Sequence, residues 1–221
     1  MSLPFSVEQF FTVFAEYNES VWPMQVILNL LALAAVVVLY GNRPSKSQFL
    51  SAVLSFLWTW MAIAYHFAFF TTINAAAWLF GVLFLAGALC FVWMGVIKRK
   101  LQFQPGGGYR QWTGSTLIVF SLIVYPVLGY AFGHHYPAVP TFGLPCPTTI
   151  FTIGTLLFLA APAPRFVFIV PLVWAAVGSV AAFQLGVLQD LGLLVAGLAG
   201  LTAVILIPTA TPAKNAATHS D

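Results

Sequence analysis

Eight residues supply all the Lys and Arg of this chain, and they fall into four clusters: Arg43 with Lys46, Lys98 to Lys100 with Arg110, Arg165 alone, and Lys214. Long apolar stretches lie between the clusters. If each stretch crosses a membrane once, every cluster lands on the same face and the opposite face holds no Lys or Arg. Loop cations are kept on the cytoplasmic side of a membrane, so the pattern sets orientation as well as topology. It predicts an all-α polytopic helical bundle with its N-terminus outside and its C-terminus in the cytoplasm.

Composition supports this reading. Hydrophobic residues make up 61% of the chain and charged residues 6%, where a soluble domain carries roughly a quarter charged. The net charge of +3 comes from loop cations that orient the chain. It does not mark a nucleic-acid surface, and the expected partner is the lipid bilayer. Seven crossings are expected, over 22–40, 48–70, 75–97, 114–132, 147–161, 166–184 and 191–208. Most approach the ~20 residues that a bilayer core requires. The fifth is short and ends at the turn Pro162-Ala163-Pro164. Fusing it with the sixth would give six crossings and place the C-terminus outside. One bundle over 1–208 is expected, followed by a disordered cytoplasmic tail over 209–221. The N-terminus lacks a basic region followed by a short apolar core, so the first crossing is expected to serve as the insertion signal.

Residues 6–19 read as an amphipathic helix in the outer interface. Val7, Phe10, Phe11 and Phe14 share one face, Glu8, Gln9, Thr12 and Glu16 the other, and Ser6 with Gln9 makes a capping-box pattern. Small residues at helical spacing (Gly192, Ala196 and Gly200; Gly178 and Ala182; Gly81, Gly87 and Gly95) predict close helix packing. Pro126 and Pro171 predict kinks.

Polar residues within the spans are few and favour the outer half. Gln25 and Asn29 lie one turn apart on a face that begins with Asn18 and Trp22. Ser51, Ser55, Thr59 and His66 form one stripe, and Thr148, Thr152 and Thr155 another. Such stripes fit interhelical hydrogen bonds as well as a solute path. An ionisable group inside a span is a functional candidate, which singles out His66. The candidate ligand-binding or pore-lining residues are Glu16, Gln25, Asn29, His66, Asn74 and Asp190.

The proline-rich outer loop from Gly133 to Pro147 carries His134, His135 and Cys146. Cys146 begins a helix, where the positive end of the dipole would favour a thiolate. His66, placed about one turn below the same face, could join His134, His135 and Cys146 in a site with ligand types suited to copper or zinc. The spacing matches no known metal signature. Cys90 lies about 22 Å deeper at 1.5 Å per residue, beyond disulfide reach of Cys146. Cys146 is therefore expected to be a free thiol on the outer face. No Asp or Glu falls inside an expected span, and no Lys falls in the last. Phosphate loops, dinucleotide fingerprints, H-E-x-x-H and G-x-S-x-G are all missing from the sequence.

The block Pro140-Thr141-Phe142-Gly143-Leu144-Pro145-Cys146-Pro147-Thr148-Thr149-Ile150-Phe151-Thr152 resembles the signature of an uncharacterised family of bacterial multi-pass membrane proteins. Further matching blocks are Ala15 to Asn18 with Trp22-Pro23, Ala64 to Phe70 with Ile73-Asn74, and Gln189 to Leu193. The resemblance runs from Phe5 to about Ile207. It implies a helical bundle in the bacterial cytoplasmic (inner) membrane. Members are sometimes labelled permeases, and the family brings no established activity.

Two readings follow. In the first, the protein is a non-enzymatic permease, channel or sensor for a small solute or metal ion, with a polar site in its outer half. In the second, it is a membrane-embedded enzyme in which Cys146 is ligand or nucleophile and Glu16 or Asp190 its acid–base partner. A homo-oligomer or a protein partner on the outer face is compatible with either.

Overall fold

Lipid offers no hydrogen-bond partner to a peptide group, so apolar stretches must satisfy their backbone internally, as helices. The computed structural model describes residues 4–208, and they are arranged this way. The helices are α1 (Val7–Ser20), α2 (Met24–Tyr40), α3 (Lys46–Trp60), α4 (Ala77–Phe91), α5 (Gly108–Val119), α6 (Tyr125–Ala131), α7 (Pro145–Leu156), α8 (Ile169–Leu185) and α9 (Gly192–Leu206). Wider π-helical turns extend α3 over Met61–Phe67 and α4 over Val92–Ile97, and join α5 to α6 over Phe120–Val124.

Five helical stretches are long and apolar enough to cross a membrane: Lys46–Thr72, Ala77–Ile97, Gly108–Ala131, Arg165–Leu185 and Leu188–Leu206. The other two expected crossings are shorter. α2 has 17 residues and meets α1 at a bend of 83°. α7 has 12 residues. At 1.5 Å per residue these helices span about 26 Å and 18 Å, against a bilayer core of about 30 Å. α7 and α8 are separate helices, not the single long one of the fused alternative, and counting the bent pair α1 and α2 as one broken span brings the long apolar stretches among the described residues to six. The expected tail over 209–221, with Lys214, lies outside the described residues.

α7 is short because it is interior. Every residue from Pro147 to Leu156 is buried, and α5, α8 and α9 pack around the helix. Glycines make this possible. A Cβ on Gly114 would lie 2.7 Å from the Gly154 carbonyl oxygen, and one on Gly154 3.0 Å from that of Gly114. The two backbones therefore touch without intervening side chains. Gly95 likewise admits Ser51, and Gly178 admits Leu193.

The described cations gather at one end. Phe103 N donates to Ser47 Oγ at 3.0 Å, and Gln104 N to the Phe158 carbonyl at 2.9 Å. Arg110 donates to the Leu159 carbonyl at 2.7 Å, and Arg165 to the Ile207 carbonyl at 2.6 Å. These bonds tie together the segments around 47, 103, 159 and 207. At the other end α1 folds back over the bundle. Its capping box forms, with Gln9 N donating to Ser6 Oγ at 3.1 Å and Ser6 N to Gln9 Oε1 at 2.8 Å. Phe10, Val13 and Phe14 are buried, while Val7 is exposed.

The two proline kinks resolve differently. Pro126 follows the π-helical turn Phe120–Val124, whose wider ring accommodates a missing N–H and the pyrrolidine. Pro171 sits in the first turn of α8, just after the 3₁₀ turn Arg165–Phe168, where the change from 3₁₀ to α geometry accommodates a missing N–H.

Replacing Gly154 with Leu is expected to destabilise the α5–α7 contact by at least about 1–3 kcal/mol, the usual cost of overpacking. Thermal unfolding in mild detergent should show a lower midpoint than wild type. An unchanged midpoint would refute the close backbone approach.

Candidate functional site

A cavity of about 340 Å³ opens among α1, α4, α8 and the loop that leads into α7. Its walls are mainly aromatic and aliphatic, including Phe10, Phe14, Tyr65, Phe70, Phe80 and Trp174. Val177 and Val180 carry the lining out to the exposed flank of α8, so the mouth faces sideways. Cys146 and Asp190 are its principal polar groups, with Asn74 and Gln184 towards the rim.

Asp190 corrects the expectation that no Asp or Glu falls inside a span. The short 3₁₀ turn Leu188–Leu191 leaves Leu188 51% exposed and buries Gln189 and Asp190, the latter to 4%. Asp190 thus belongs to the apolar stretch Leu188–Leu206, and the bundle does hold an embedded carboxyl group. The Tyr125 hydroxyl donates to Asp190 Oδ1, and the Cys146 thiol lies against the same carboxyl group. Cys146 also approaches the Trp174 indole, whose Nε1 is buried without a hydrogen-bond partner. The expected exposed thiolate is therefore replaced by a half-buried thiol facing a group that also becomes negative on ionisation. Two such groups oppose each other's charge.

A second cavity, of about 380 Å³, lies across the Tyr125 ring. Gln25, Asn29, Ser121, Tyr125, His134, His135 and Thr141 contribute to its lining. Its frame is Asn18, which is fully buried. The Asn18 amide donates to the carbonyls of Pro137 (2.7 Å) and Val139 (2.8 Å). Asn18 Oδ1 accepts from Thr141 Oγ1 at 2.7 Å and from Gln25 Nε2 at 3.3 Å. One side chain thus joins α1, α2 and the outer loop.

This arrangement, an interfacial helix tied by Asn18 to a Pro-rich loop above a buried carboxyl group, spans the same stretch as one family model. The chain belongs to a family of unknown function, DUF6064, whose model matches residues 7–215. Comparison with curated proteins and with solved structures returned no match. DUF6064 brings no activity with it, and its description carries no permease label.

The other predicted site residues of this DUF6064 chain are placed as follows. Glu16 is exposed on the outer face of α1, beside Glu8 and Thr72, and does not reach Cys146. Asn74 caps the backbone at Ala76 N, 3.0 Å away, and borders the first cavity. Gln25 and Asn29 border the second. His66 is fully buried in a cage of Tyr65, Phe70, Phe80, Phe84 and Trp174, with both ring nitrogens unpartnered. Phe70, Phe80 and Trp174 present their other sides to the first cavity.

The expected copper or zinc grouping is not assembled. His134 stacks on Phe11 and meets Gln189, its Nδ1 3.2 Å from Gln189 Nε2, while His135 is exposed beside Tyr130. His66 is in its cage and Cys146 faces Asp190. Among the described residues, no three His, Cys, Asp or Glu converge in a metal-holding group. The aromatic packing around His66 is what separates it from the loop. Burial, and then the neighbouring His135, hold His134 below the ordinary histidine range, which suits a neutral ring accepting from Gln189.

The Ser/Thr stripes are structural here. Ser51, Thr59, Thr152 and Thr155 donate to their own helix carbonyls, and Ser55 to the Ala88 carbonyl. Thr152 also accepts from Trp58 Nε1 at 3.0 Å. None of these five residues lines either cavity.

Tyr125→Phe is expected to cost about 1–3 kcal/mol, because it strips a donor from a buried carboxyl group. Thermal unfolding in detergent checks this. Asp190→Asn, which can still accept from Tyr125, should lose less. Equal stability of Tyr125→Phe and wild type would remove the buried bond from the argument.

Proposed function

We propose that the protein is a non-enzymatic, multi-pass protein of the bacterial cytoplasmic membrane that binds a small amphipathic molecule in its outer half, as a sensor or permease for it. The observation that carries this reading is the first cavity, whose walls are apolar, whose mouth lies on the exposed flank of α8, and whose polar groups are Asp190 and Cys146. A pocket of that kind suits an apolar chain that enters from lipid and places a hydrogen-bond donor against the carboxyl group. The described cations, gathered at the opposite end, would face the cytoplasm. The dry Ser/Thr stripes speak against an open pore and favour binding followed by a conformational change.

Native mass spectrometry of the full chain in mild detergent, with added 1-dodecanol, tests the reading. One bound alcohol per chain is expected in wild type. Ala181→Trp, which fills the cavity from α8, should reduce occupancy by at least about tenfold, as loss of most apolar contact predicts. No bound alcohol in wild type, or equal occupancy in the variant, would sink the proposal.

A second reading keeps the enzyme alternative, because Cys146 and Asp190 are in contact inside a ligand-sized cavity. Asp190 would take the thiol proton as Cys146 adds to the carbonyl carbon of a bound substrate, the C=O π electrons moving onto the carbonyl oxygen. Iodoacetamide labelling, followed by peptide mass spectrometry, separates the readings. A catalytic pair predicts that Cys146 alkylates faster than Cys90 and slows at least about tenfold in Asp190→Asn, in line with removal of a general base. An inert Cys146 in wild type would leave the binding reading alone.

A further inference from the structure

The second cavity is a site of a different kind, and its hydrogen-bond ledger points to its ligand. Gln25 is 6% exposed and lines the cavity. Its Nε2 faces two acceptors, the Asn18 carbonyl at 2.7 Å and Asn18 Oδ1 at 3.3 Å, which sets the amide orientation. Oε1 is left buried with no partner. A buried acceptor without a donor costs free energy until something supplies one.

Several neighbouring hydrogens are committed elsewhere, and none reaches Gln25 Oε1. Asn29 Nδ2 donates to the Gln25 carbonyl at 2.8 Å. Thr141 Oγ1 donates to Asn18 Oδ1, Ser121 Oγ to the Ile118 carbonyl, and Tyr125 to Asp190. Thr141, Ser121 and Tyr125 offer the cavity lone pairs, Asn29 offers Oδ1 beside its second N–H, and the rings of His134 and His135 border it as well. Aromatic faces from Tyr130, Tyr136 and Phe142 complete the wall, and no Lys or Arg lines it. Behind Tyr125 stands the Asp190 carboxyl group.

Acceptors, aromatic faces and a carboxyl group behind them make a site for a donor-rich cation. We propose that the cavity under the Gly133–Phe142 loop binds a small organic cation with a primary ammonium group. Two of its N–H groups are received by Gln25 Oε1 and Asn29 Oδ1, and the charge lies against the tyrosine rings. The inference is independent of the amphiphile cavity, with which this one shares only Pro140 in its lining.

Ligand-detected NMR titration of the purified full chain in mild detergent tests this, with n-propylammonium as the probe. Tetramethylammonium, which keeps the charge without N–H donors, and 1-propanol, which keeps one donor without the charge, are the comparators. Saturable binding of propylammonium is expected, weaker binding of tetramethylammonium, and none of 1-propanol over the same range. Gln25→Leu should weaken propylammonium binding by at least about tenfold, the worth of a charge-assisted hydrogen bond. Asn29→Leu, which removes only an exchange with the preceding turn, should do the same without disturbing the Asn18 contacts and so covers the case in which Gln25→Leu does not fold. Ala181→Trp should bind propylammonium as wild type does. The proposal is overturned by absence of saturable propylammonium binding, by wild-type affinity in Asn29→Leu, or by 1-propanol binding as well as the cation.

Discussion

Asn18 holds together the end of the molecule opposite the described cations. Its amide hydrogens satisfy two carbonyls of the Pro-rich loop, and its oxygen receives Thr141 and Gln25. The loop contains Pro137 and Pro140, which have no N–H to offer, so it cannot build a ladder of its own. It is fixed instead by a side chain that arrives from another part of the chain. In a low-dielectric interior each of these bonds is costly to leave unmade. α1 therefore cannot be a loose interfacial anchor alone. It is the post to which the wall of the second cavity and the approach to the first are tied.

The two halves of the bundle are built on different principles. Around α7 the backbones of Gly114 and Gly154 touch, and Ser and Thr return their hydrogens to helix carbonyls. That region is packed, and of the four threonines of α7 it leaves only the Thr149 hydroxyl buried without a partner. Of the three π-helical turns, Val92–Ile97 lies at the cation end, while His66 lies in a second and Tyr125 directly follows the third. A wider turn re-aims the side chains that follow it, which is why such turns recur at functional sites. Here they aim Tyr125 at Asp190 and seat His66 behind the aromatic wall. Pro140 borders both cavities, and Tyr125, in the wall of the second, bonds to Asp190 in the wall of the first.

Much of the fold was legible in the residues. Apolar length located the five long stretches, the Ser6–Gln9 pattern located the start of α1, and small residues marked where helices meet. The site was legible only in fragments. Cys146 and Asp190 could be named as nucleophile and acid–base partner, and they do meet. Glu16, named for the same role, points outward. The metal grouping failed because helical rise gives a depth and not a direction: His66 lies deep enough to approach the loop, but aromatic rings surround it. Tyr125 falls within the expected crossing 114–132, yet nothing local marked it as the partner of Asp190, 65 residues away.

The sequence by itself determined the class of object, its helical content and the shared end for its described cations. Those follow from the cost of exposing peptide groups and charges to lipid, which acts on each stretch separately. Only the tertiary structure decided that α7 is interior, that Asp190 turns inward while Leu188 turns out, and that Asn18 holds a loop more than a hundred residues away. Those outcomes depend on which buried donor meets which buried acceptor. That matching is a property of the packed bundle, and no single stretch of the chain contains it.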